Sequence, residues 1–207
     1  DRLGMIDPAG WEGTVLNDRN FRQFDAEEAG RVFTDRTPKD DEGALIQTAI
    51  GQRDVRMTPL QAANMIVTLL HGGEVVSPRA VKEVRYRDGR LMVTFPEQTR
   101  LSGKQGISRP TAKQLLQWME ETVQSGTGRA LRSAAWRLAG KSGTAQVSTG
   151  ARPTENHWFV GFGPADSPRY AVAVVVQNVP AGRSNQAIRV FYEMMNMLAA
   201  TEPSQAR

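Results

Sequence analysis

Cysteine is absent from this sequence of 207 residues, and histidine occurs only as His71 and His157. Without cysteine, the chain has neither a disulfide framework nor a thiolate metal site. The two histidines lie far apart in the sequence, so a zinc site is not expected. We therefore predict no metal ion and no cofactor. The lack of cysteine is compatible with an extracytoplasmic compartment without requiring one.

Long hydrophobic segments are also lacking. The most apolar run, Tyr170–Gln177, is far shorter than the roughly 20 residues that a helix needs to cross a bilayer. The chain begins at Asp1 instead of a methionine, which indicates a piece of a longer protein. We therefore predict no membrane segment within this chain and expect any anchor to lie outside it.

Charge of one sign is nowhere concentrated. Lys and Arg number 26 against 22 Asp and Glu, and the formal net charge of +4 is spread over both halves of the chain. This distribution indicates a solvated basic surface, so nucleic-acid binding is not predicted. With 40% hydrophobic residues, the chain has enough apolar side chains to bury a core.

Three segments have the apolar spacing of helices. The first begins at Thr58-Pro59, where threonine suits the N-cap and proline the first helical position, and ends at Gly72-Gly73. The second begins at Arg109-Pro110 and ends before the segment Ser125–Gly128. The third spans about residues 184–199. Its predicted sheet-facing positions are Ile188, Phe191, Tyr192, Met195 and Leu198.

Three strand-like runs lie between the last two helices, at residues 140–148, 157–163 and 170–179. Short turns separate them, which favours antiparallel neighbours. The run Val174–Val176 suggests a central strand that is covered on both faces. A peripheral hairpin is predicted at residues 75–84 and 91–95. The fold class is therefore α+β, with an antiparallel sheet flanked by helices.

The remaining segments have no clear period. Residues 1–45 are polar and irregular, and we predict surface loops with a short helix at 25–29. Residues 46–200 contain the predicted helices and strands, and residues 201–207 form a frayed tail.

The stretch Ala139–Val147, AGKSGTAQV, has two interpretations. A phosphate-binding P-loop requires Gly-x-x-x-x-Gly-Lys-Ser/Thr at the start of a helix. Ala135 stands where the first glycine should be, and β-formers and turn residues follow Thr144. The nucleotide interpretation therefore fails on both motif and context.

The second interpretation is a strand that lines a cleft. Lys141 would be a fixed positive charge, and the hydroxyls of Ser142 and Thr144 would bind a carboxylate. Gly143 would let another backbone approach, so a substrate could pair with this strand. The Thr144 N–H would face a developing oxyanion, and Gln146 would reach a ligand from the strand end. A solvated edge strand is the alternative that these residues alone leave open.

Five stretches in consistent order closely resemble the penicillin-binding transpeptidases, most of all the class B enzymes that cross-link peptidoglycan. They are Ile50–Gln52 (IGQ), Met57–Asn64 (MTPLQAAN), Ser125–Gly128 (SGTG), Lys141–Gln146 (KSGTAQ) and His157–Phe162 (HWFVGF). The resemblance covers roughly residues 46–200, which would be the C-terminal part of such a domain with its Lys-Ser-Gly strand, while the N-terminal part is missing.

This resemblance implies a transpeptidase/β-lactamase-like fold and an acyl-serine intermediate. The implied partners are a stem peptide ending in D-Ala-D-Ala, β-lactam antibiotics and the N-terminal part of the same domain. The implied location is the extracytoplasmic face of the bacterial membrane. By matching positions, Lys141 would set the electrostatics of the cleft, Ser142 and Thr144 would hold the carboxylate, and the Thr144 N–H would supply half of the oxyanion hole.

The nucleophile of that family is missing from the sequence. None of its serines is followed by lysine three positions later, and none by asparagine two positions later. The chain would therefore be inactive alone. Three explanations stay open: the C-terminal part of a transpeptidase, one product of a clipped chain, or a degenerate relative.

Two other functions would use the same fold. A non-catalytic binding, sensor or scaffold module on the same fold is the alternative function. A serine β-lactamase is a weaker rival, since no segment matches a loop with a deacylating base. We expect His157 to be structural, Trp118 and Trp136 to be core residues, and one of Trp158 and Phe159 to face the cleft.

Overall fold

The computed structural model describes residues 31–32, 41–53, 55–79, 81–97, 99, 106–148 and 151–202. Most of the segment 1–45, including the predicted helix at 25–29, lies outside these ranges, as do residues 203–207 of the tail. The chain divides into two compact units, one of residues 1–48 with 53–112 and the other of residues 49–52 with 113–207.

The described part of the first unit includes two helices and a hairpin. The helix α1 spans Glu42–Ala49, and α2 spans Pro59–Leu70. Thr58 caps α2 as predicted, because its hydroxyl accepts from the Gln61 N–H while the Gln61 side chain accepts from the Thr58 N–H. The strands β1 (Glu83–Arg85) and β2 (Leu91–Thr94) pair antiparallel.

The predicted strand at 75–84 was wrong in its extent. Regular pairing with β2 begins only at Glu83, and Val76 forms an isolated bridge with Thr99. Val75 and Val76 are nevertheless buried, so their apolar side chains serve the core of the unit outside a regular strand. The Val76 carbonyl accepts a hydrogen bond of 2.9 Å from the buried side chain of Asn64 on α2.

The second unit contains the helix α3 (Arg109–Gln124) for most of its length, a 3₁₀ turn at Arg129–Ser133, three strands and the helix α4. The strands are β3 (Ala139–Ser148), β4 (Thr154–Gly163) and β5 (Tyr170–Pro180), and α4 spans Gln186–Thr201. Their order in the sheet is β3-β4-β5, and both pairs are antiparallel as predicted.

The position of the valine-rich strand is a correction. Among the described strands, β4 is central and β5 lies at one end of the order. Only Val174 of the run Val174–Val176 is buried. A continuous β-branched run therefore marked a strand correctly but did not reveal its rank in the sheet.

The core of this unit lies between α4 and one face of the sheet. Phe159 on β4 and Phe191 on α4 are fully buried, with ring centroids 4.7 Å apart. Met195 is buried in the same cluster, and Ile188, Tyr192 and Leu198 pack against it, which confirms the predicted face of α4. Trp136 also packs against this cluster, whereas Trp118 is 60% exposed, so its assignment to the core was wrong.

Among the described residues, every helix is too short or too polar to span a bilayer.

Candidate functional site

The strand β3 carries the candidate site on its outer edge. β3 stands at the end of the described sheet, so one side of its backbone faces away from β4. The Thr144 carbonyl and the Gln146 N–H both bond to the Gln52 side chain instead of β4, which identifies residues 144 and 146 as outward-pointing. A strand residue directs its N–H and C=O to the same side, so the Thr144 N–H also faces this edge.

Lys141 lies on the exposed part of β3, two residues after the buried Ala139. Its Nζ atom donates a hydrogen bond of 2.7 Å to the Ser142 carbonyl oxygen. The cation is therefore held against its own strand, at the Ser142 carbonyl. A strand that carries a held positive charge, two hydroxyls and an outward N–H is suited to bind a carboxylate.

Ser142 is held by a second hydroxyl from another element. Its Oγ atom lies 2.8 Å from Oγ1 of Thr127, in the loop after α3. The backbone there is compact, because the Gly128 N–H donates to the Thr122 carbonyl at 3.0 Å. A Cβ atom at Gly126 would lie 2.9 Å from the same carbonyl oxygen. The SGTG segment therefore places Thr127 beside Ser142, a role that the sequence did not reveal.

Gln52 contacts two of the outward backbone groups of β3. Its Nε2 atom donates to the Thr144 carbonyl at 3.0 Å, and its Oε1 atom accepts from the Gln146 N–H at 3.4 Å. Sequence reasoning named Ile50–Gln52 only as a matching stretch and assigned it no contact. The predicted side-chain role of Gln146 is not tested by these backbone contacts.

Asn185 joins β3 and β4 at Gly143. Its Nδ2 atom lies 3.0 Å from the Gly143 carbonyl oxygen and 3.2 Å from that of Trp158, to which it donates. Its Oδ1 atom accepts from the Ala187 N–H, which caps α4. Since Gly143 pairs with Trp158 across β3 and β4, one side chain ties the helix start to both strands.

His157 supports the same corner from the interior. It is 1% exposed, and its Nδ1 atom accepts from the Gln186 N–H at 3.2 Å. Its Nε2 atom lies 3.4 Å from a Glu155 carboxylate oxygen. These contacts agree with a structural histidine. Phe159 is fully buried and Trp158 is half-buried, so β4 sends the two rings into different surroundings.

Two glycines fix how closely β3 and β4 lie on the core. A Cβ atom at Gly140 would come within 2.4 Å of the Phe159 ring, and one at Gly161 within 2.4 Å of the Ala139 carbonyl oxygen. Both separations are too short for any side chain. Gly140 therefore holds the start of the Lys141 strand against the buried aromatic layer.

Comparison with known proteins gives a family match over most of the chain. The model of the penicillin binding protein transpeptidase domain matches residues 18–196. Stage V sporulation protein D of Bacillus subtilis is 38% identical over 134 residues, which are 63% of this chain and 20% of that protein. Peptidoglycan D,D-transpeptidase PbpA of Mycolicibacterium smegmatis is 34% identical over 140 residues, or 67% of this chain and 28% of that protein.

Solved structures with the same fold were also found. Penicillin-binding protein A from M. tuberculosis, as its penicillin G acyl-enzyme complex, is 27% identical with a TM-score of 0.65, covering 84% of this chain and 38% of that one. Penicillin-binding protein 2B from Streptococcus pneumoniae superimposes over 100% of this chain with a TM-score of 0.77, at 23% identity and 32% of that chain. The predicted fold class is thereby confirmed, and the chain spans less than half of each of these relatives.

Proposed function

Because the chain belongs to the penicillin-binding protein transpeptidase domain family, we propose that it is the C-terminal part of a peptidoglycan D,D-transpeptidase. The chain covers only 20% and 28% of the two relatives named above. Its activity therefore depends on a segment that supplies a Ser-x-x-Lys nucleophile, which this sequence lacks. We call this chain together with that segment the joined protein.

The proposed reaction is acyl transfer through a serine ester. The serine oxygen bonds to the carbonyl carbon of the penultimate D-alanine, the C–N bond to the last D-alanine breaks, and the leaving amine takes a proton. The amine of a second stem peptide then attacks the ester, forms the cross-link and returns the serine hydroxyl. A β-lactam acylates the same serine by opening its ring. Its leaving amine stays attached, so the adduct keeps the whole β-lactam.

The residues of β3 receive the roles that the sequence predicted. Lys141 provides the positive charge for the substrate carboxylate, and Ser142 and Thr144 provide hydroxyls beside it. The Thr144 N–H supports the oxyanion, since it points to the outer edge of the strand. Gly143 admits the substrate backbone, and Gln146 lies at the far end of the binding strand.

One observation carries this proposal: the Lys141–Thr144 segment lies on the outer edge of β3, with the Ser142 hydroxyl bonded to Thr127. On a merely solvated edge strand, the serine beside the lysine would not require a hydrogen bond to a hydroxyl from a separate loop. The ammonium, hydroxyl and N–H groups of this segment are hydrogen-bond donors suited to an anionic acyl donor. Two elements of the same unit, β3 and the loop after α3, position them.

The proposed partners follow from this chemistry. They are stem peptides that end in D-Ala-D-Ala, β-lactams, and the N-terminal part of the same transpeptidase domain. The proposed location is the extracytoplasmic face of the bacterial cell membrane, where peptidoglycan is cross-linked. A non-catalytic binding, sensor or scaffold module on this fold is the second candidate function. A binding or scaffold module does not need the Ser-x-x-Lys that this chain lacks, whereas a sensor acylated by β-lactams needs it as a transpeptidase does.

Acylation of the joined protein by benzylpenicillin tests the proposed function. Lys141→Met should lower the second-order acylation constant about ten- to a hundredfold, because a charge-assisted contact to the carboxylate is lost. Lys113→Met, at an exposed lysine on α3, is the matched control and should acylate at the wild-type rate. Equal rates for Lys141→Met and the wild type would contradict the role of this strand. A separate assay for D-alanine release distinguishes a transpeptidase from a sensor.

A further inference from the structure

The Gln52 carboxamide imitates a peptide group on the edge of β3. It donates to the Thr144 carbonyl and accepts from the Gln146 N–H, so it bonds to two residues of one strand edge as an added strand would. The donor–acceptor distances are 3.0 and 3.4 Å, and the second bond is therefore the longer and weaker one.

The backbone around Gln52 is shaped to present this side chain. Gly51 has a φ of 84° and Arg53 a φ of 58°, so left-handed residues lie on both sides of Gln52. A non-glycine residue in this region is uncommon and indicates a specified turn. A Cβ atom added at Gly51 would have no neighbour within 4 Å, so the glycine serves backbone conformation and not packing.

The same edge is the one that an extended acyl donor would use. In an antiparallel pair, one residue exchanges both its N–H and its C=O with the residue opposite. If the reactive carbonyl oxygen lies at the Thr144 N–H, the amide N–H that flanks this carbonyl in an extended donor lies near the Thr144 carbonyl oxygen. In this structure, Gln52 Nε2 already donates a hydrogen bond to that carbonyl oxygen.

We infer that Gln52 is a displaceable cap on the substrate-pairing edge of β3, and this inference rests on the proposed function. Acyl donors that carry an amide N–H beside the reactive carbonyl must displace the Gln52 carboxamide from Thr144. Donors without that amide acylate with the cap in place. Gln52 is thus a specificity-determining residue, because it distinguishes acyl donors that carry this amide N–H from donors that lack it.

The experiment compares two β-lactams that differ in this group, benzylpenicillin with an acylamino side chain and penicillanic acid with only hydrogen at that position. Gln52→Met keeps the length of the side chain and removes its donor and acceptor. For the joined protein, this variant should raise the acylation constant of benzylpenicillin about three- to tenfold, since the cost of breaking a hydrogen bond disappears. The constant for penicillanic acid should stay within about twofold of wild type, because that ligand has no N–H at this position and makes no competing bond.

Gln177→Met, at an exposed glutamine on β5, is the matched control and should change neither constant. An equal change for both β-lactams in Gln52→Met, upward or downward, would show that Gln52 only positions β3 and would overturn the cap. Failure of the wild-type joined protein to acylate with either ligand would instead contradict the proposed function.

Hydrogen exchange tests the cap independently of acylation. In Gln52→Met the Gln146 amide should exchange about three- to tenfold faster, because its acceptor is gone. Gln52→Glu retains an acceptor oxygen and should leave this amide close to the wild-type rate. Unchanged Gln146 exchange in Gln52→Met would overturn the cap even where acylation cannot be measured.

Discussion

The Thr127 and Ser142 hydroxyl oxygens lie 2.8 Å apart, although the two residues are 15 positions apart in the sequence. One belongs to a glycine-flanked loop and the other to the Lys-Ser-Gly strand. This contact holds the Ser142 hydroxyl on the strand that carries Lys141, and it links a loop motif to the proposed carboxylate site.

Thr127→Val preserves the shape of this side chain and removes its hydroxyl. We expect a fall of about two- to tenfold in the benzylpenicillin acylation constant of the joined protein, because Ser142 loses one net hydrogen bond. Thr127→Ser keeps a hydroxyl at the same position and should retain most of the rate. Equal losses in both variants would show that the threonine methyl group, and not the hydrogen bond, matters.

Asn185 should contribute to stability through two separable functions, the cap of α4 and the contact to two strands. Asn185→Ala removes both and is expected to lower the free energy of unfolding by about 1–3 kcal/mol in urea titration. Asn185→Ser keeps an N-cap hydroxyl but is too short to reach both carbonyls, so its stability should be intermediate. A serine variant as stable as the wild type would mean that the strand contacts add nothing.

Gly140 and Gly143 should differ sharply in their tolerance of a methyl group. At Gly140 the added Cβ would lie 2.4 Å from the Phe159 ring and 2.8 Å from the Val160 carbonyl oxygen. We expect Gly140→Ala to cost about 1–3 kcal/mol or more, as overpacking does in a dense core. At Gly143 the nearest atom, Trp158 Cβ, is 3.3 Å away, and Gly143→Ala should cost less. Urea titration of both variants checks this order.

The hairpin of β1 and β2 should loosen in acid. The Arg85 side chain lowers the pKa of Glu83 by a hydrogen bond, and Arg90 does the same for the pKa of Asp88 through side-chain and backbone hydrogen bonds. A carboxyl group with a lowered pKa stabilises the fold above its unfolded pKa and loses this contribution as the pH falls. Below about pH 4, hairpin amide resonances should therefore shift before those of β3 to β5.

Asp88→Asn provides the control for this pH dependence. It removes one titrating group, so the acid-induced shift of the Arg90 resonances should become smaller. Glu83 is partly exposed and Arg85, Asp88 and Arg90 are exposed, so the effect is confined to the hairpin because such ion pairs contribute little. Simultaneous shifts in the β3 to β5 sheet would contradict a local origin.

Local patterns were enough to predict most of the fold. The Thr58-Pro59 start of α2, the antiparallel run from β3 to β5 and the buried face of α4 all depend on spacing within a few residues, and all were confirmed. The fold class was confirmed as well. Among the described strands, β5 lies at one end of the order and not at its centre, since a β-branched run indicates a strand and not its neighbours. Trp118 was wrong because helical spacing alone does not show where the buried stripe ends.

The site was only partly accessible to sequence reasoning. The array Lys141–Thr144 was predicted from one continuous motif, and its catalytic roles remain predictions. Gln52 and Asn185 were missed because their contacts to β3 span 92 and 42 residues. No local period encodes such a contact. Gly51 beside Gln52 was the available signal, as glycine often marks a turn that presents the next side chain.

The most direct measurement is labelling of two proteins with fluorescent penicillin, followed by mass mapping of the adduct. The 207-residue chain alone should give no covalent adduct, because it lacks Ser-x-x-Lys. The joined protein should gain the mass of one intact penicillin, on a serine outside residues 1–207, and Lys141→Met should slow this labelling. An adduct on a serine within the chain, or no adduct on the joined protein, would contradict the account.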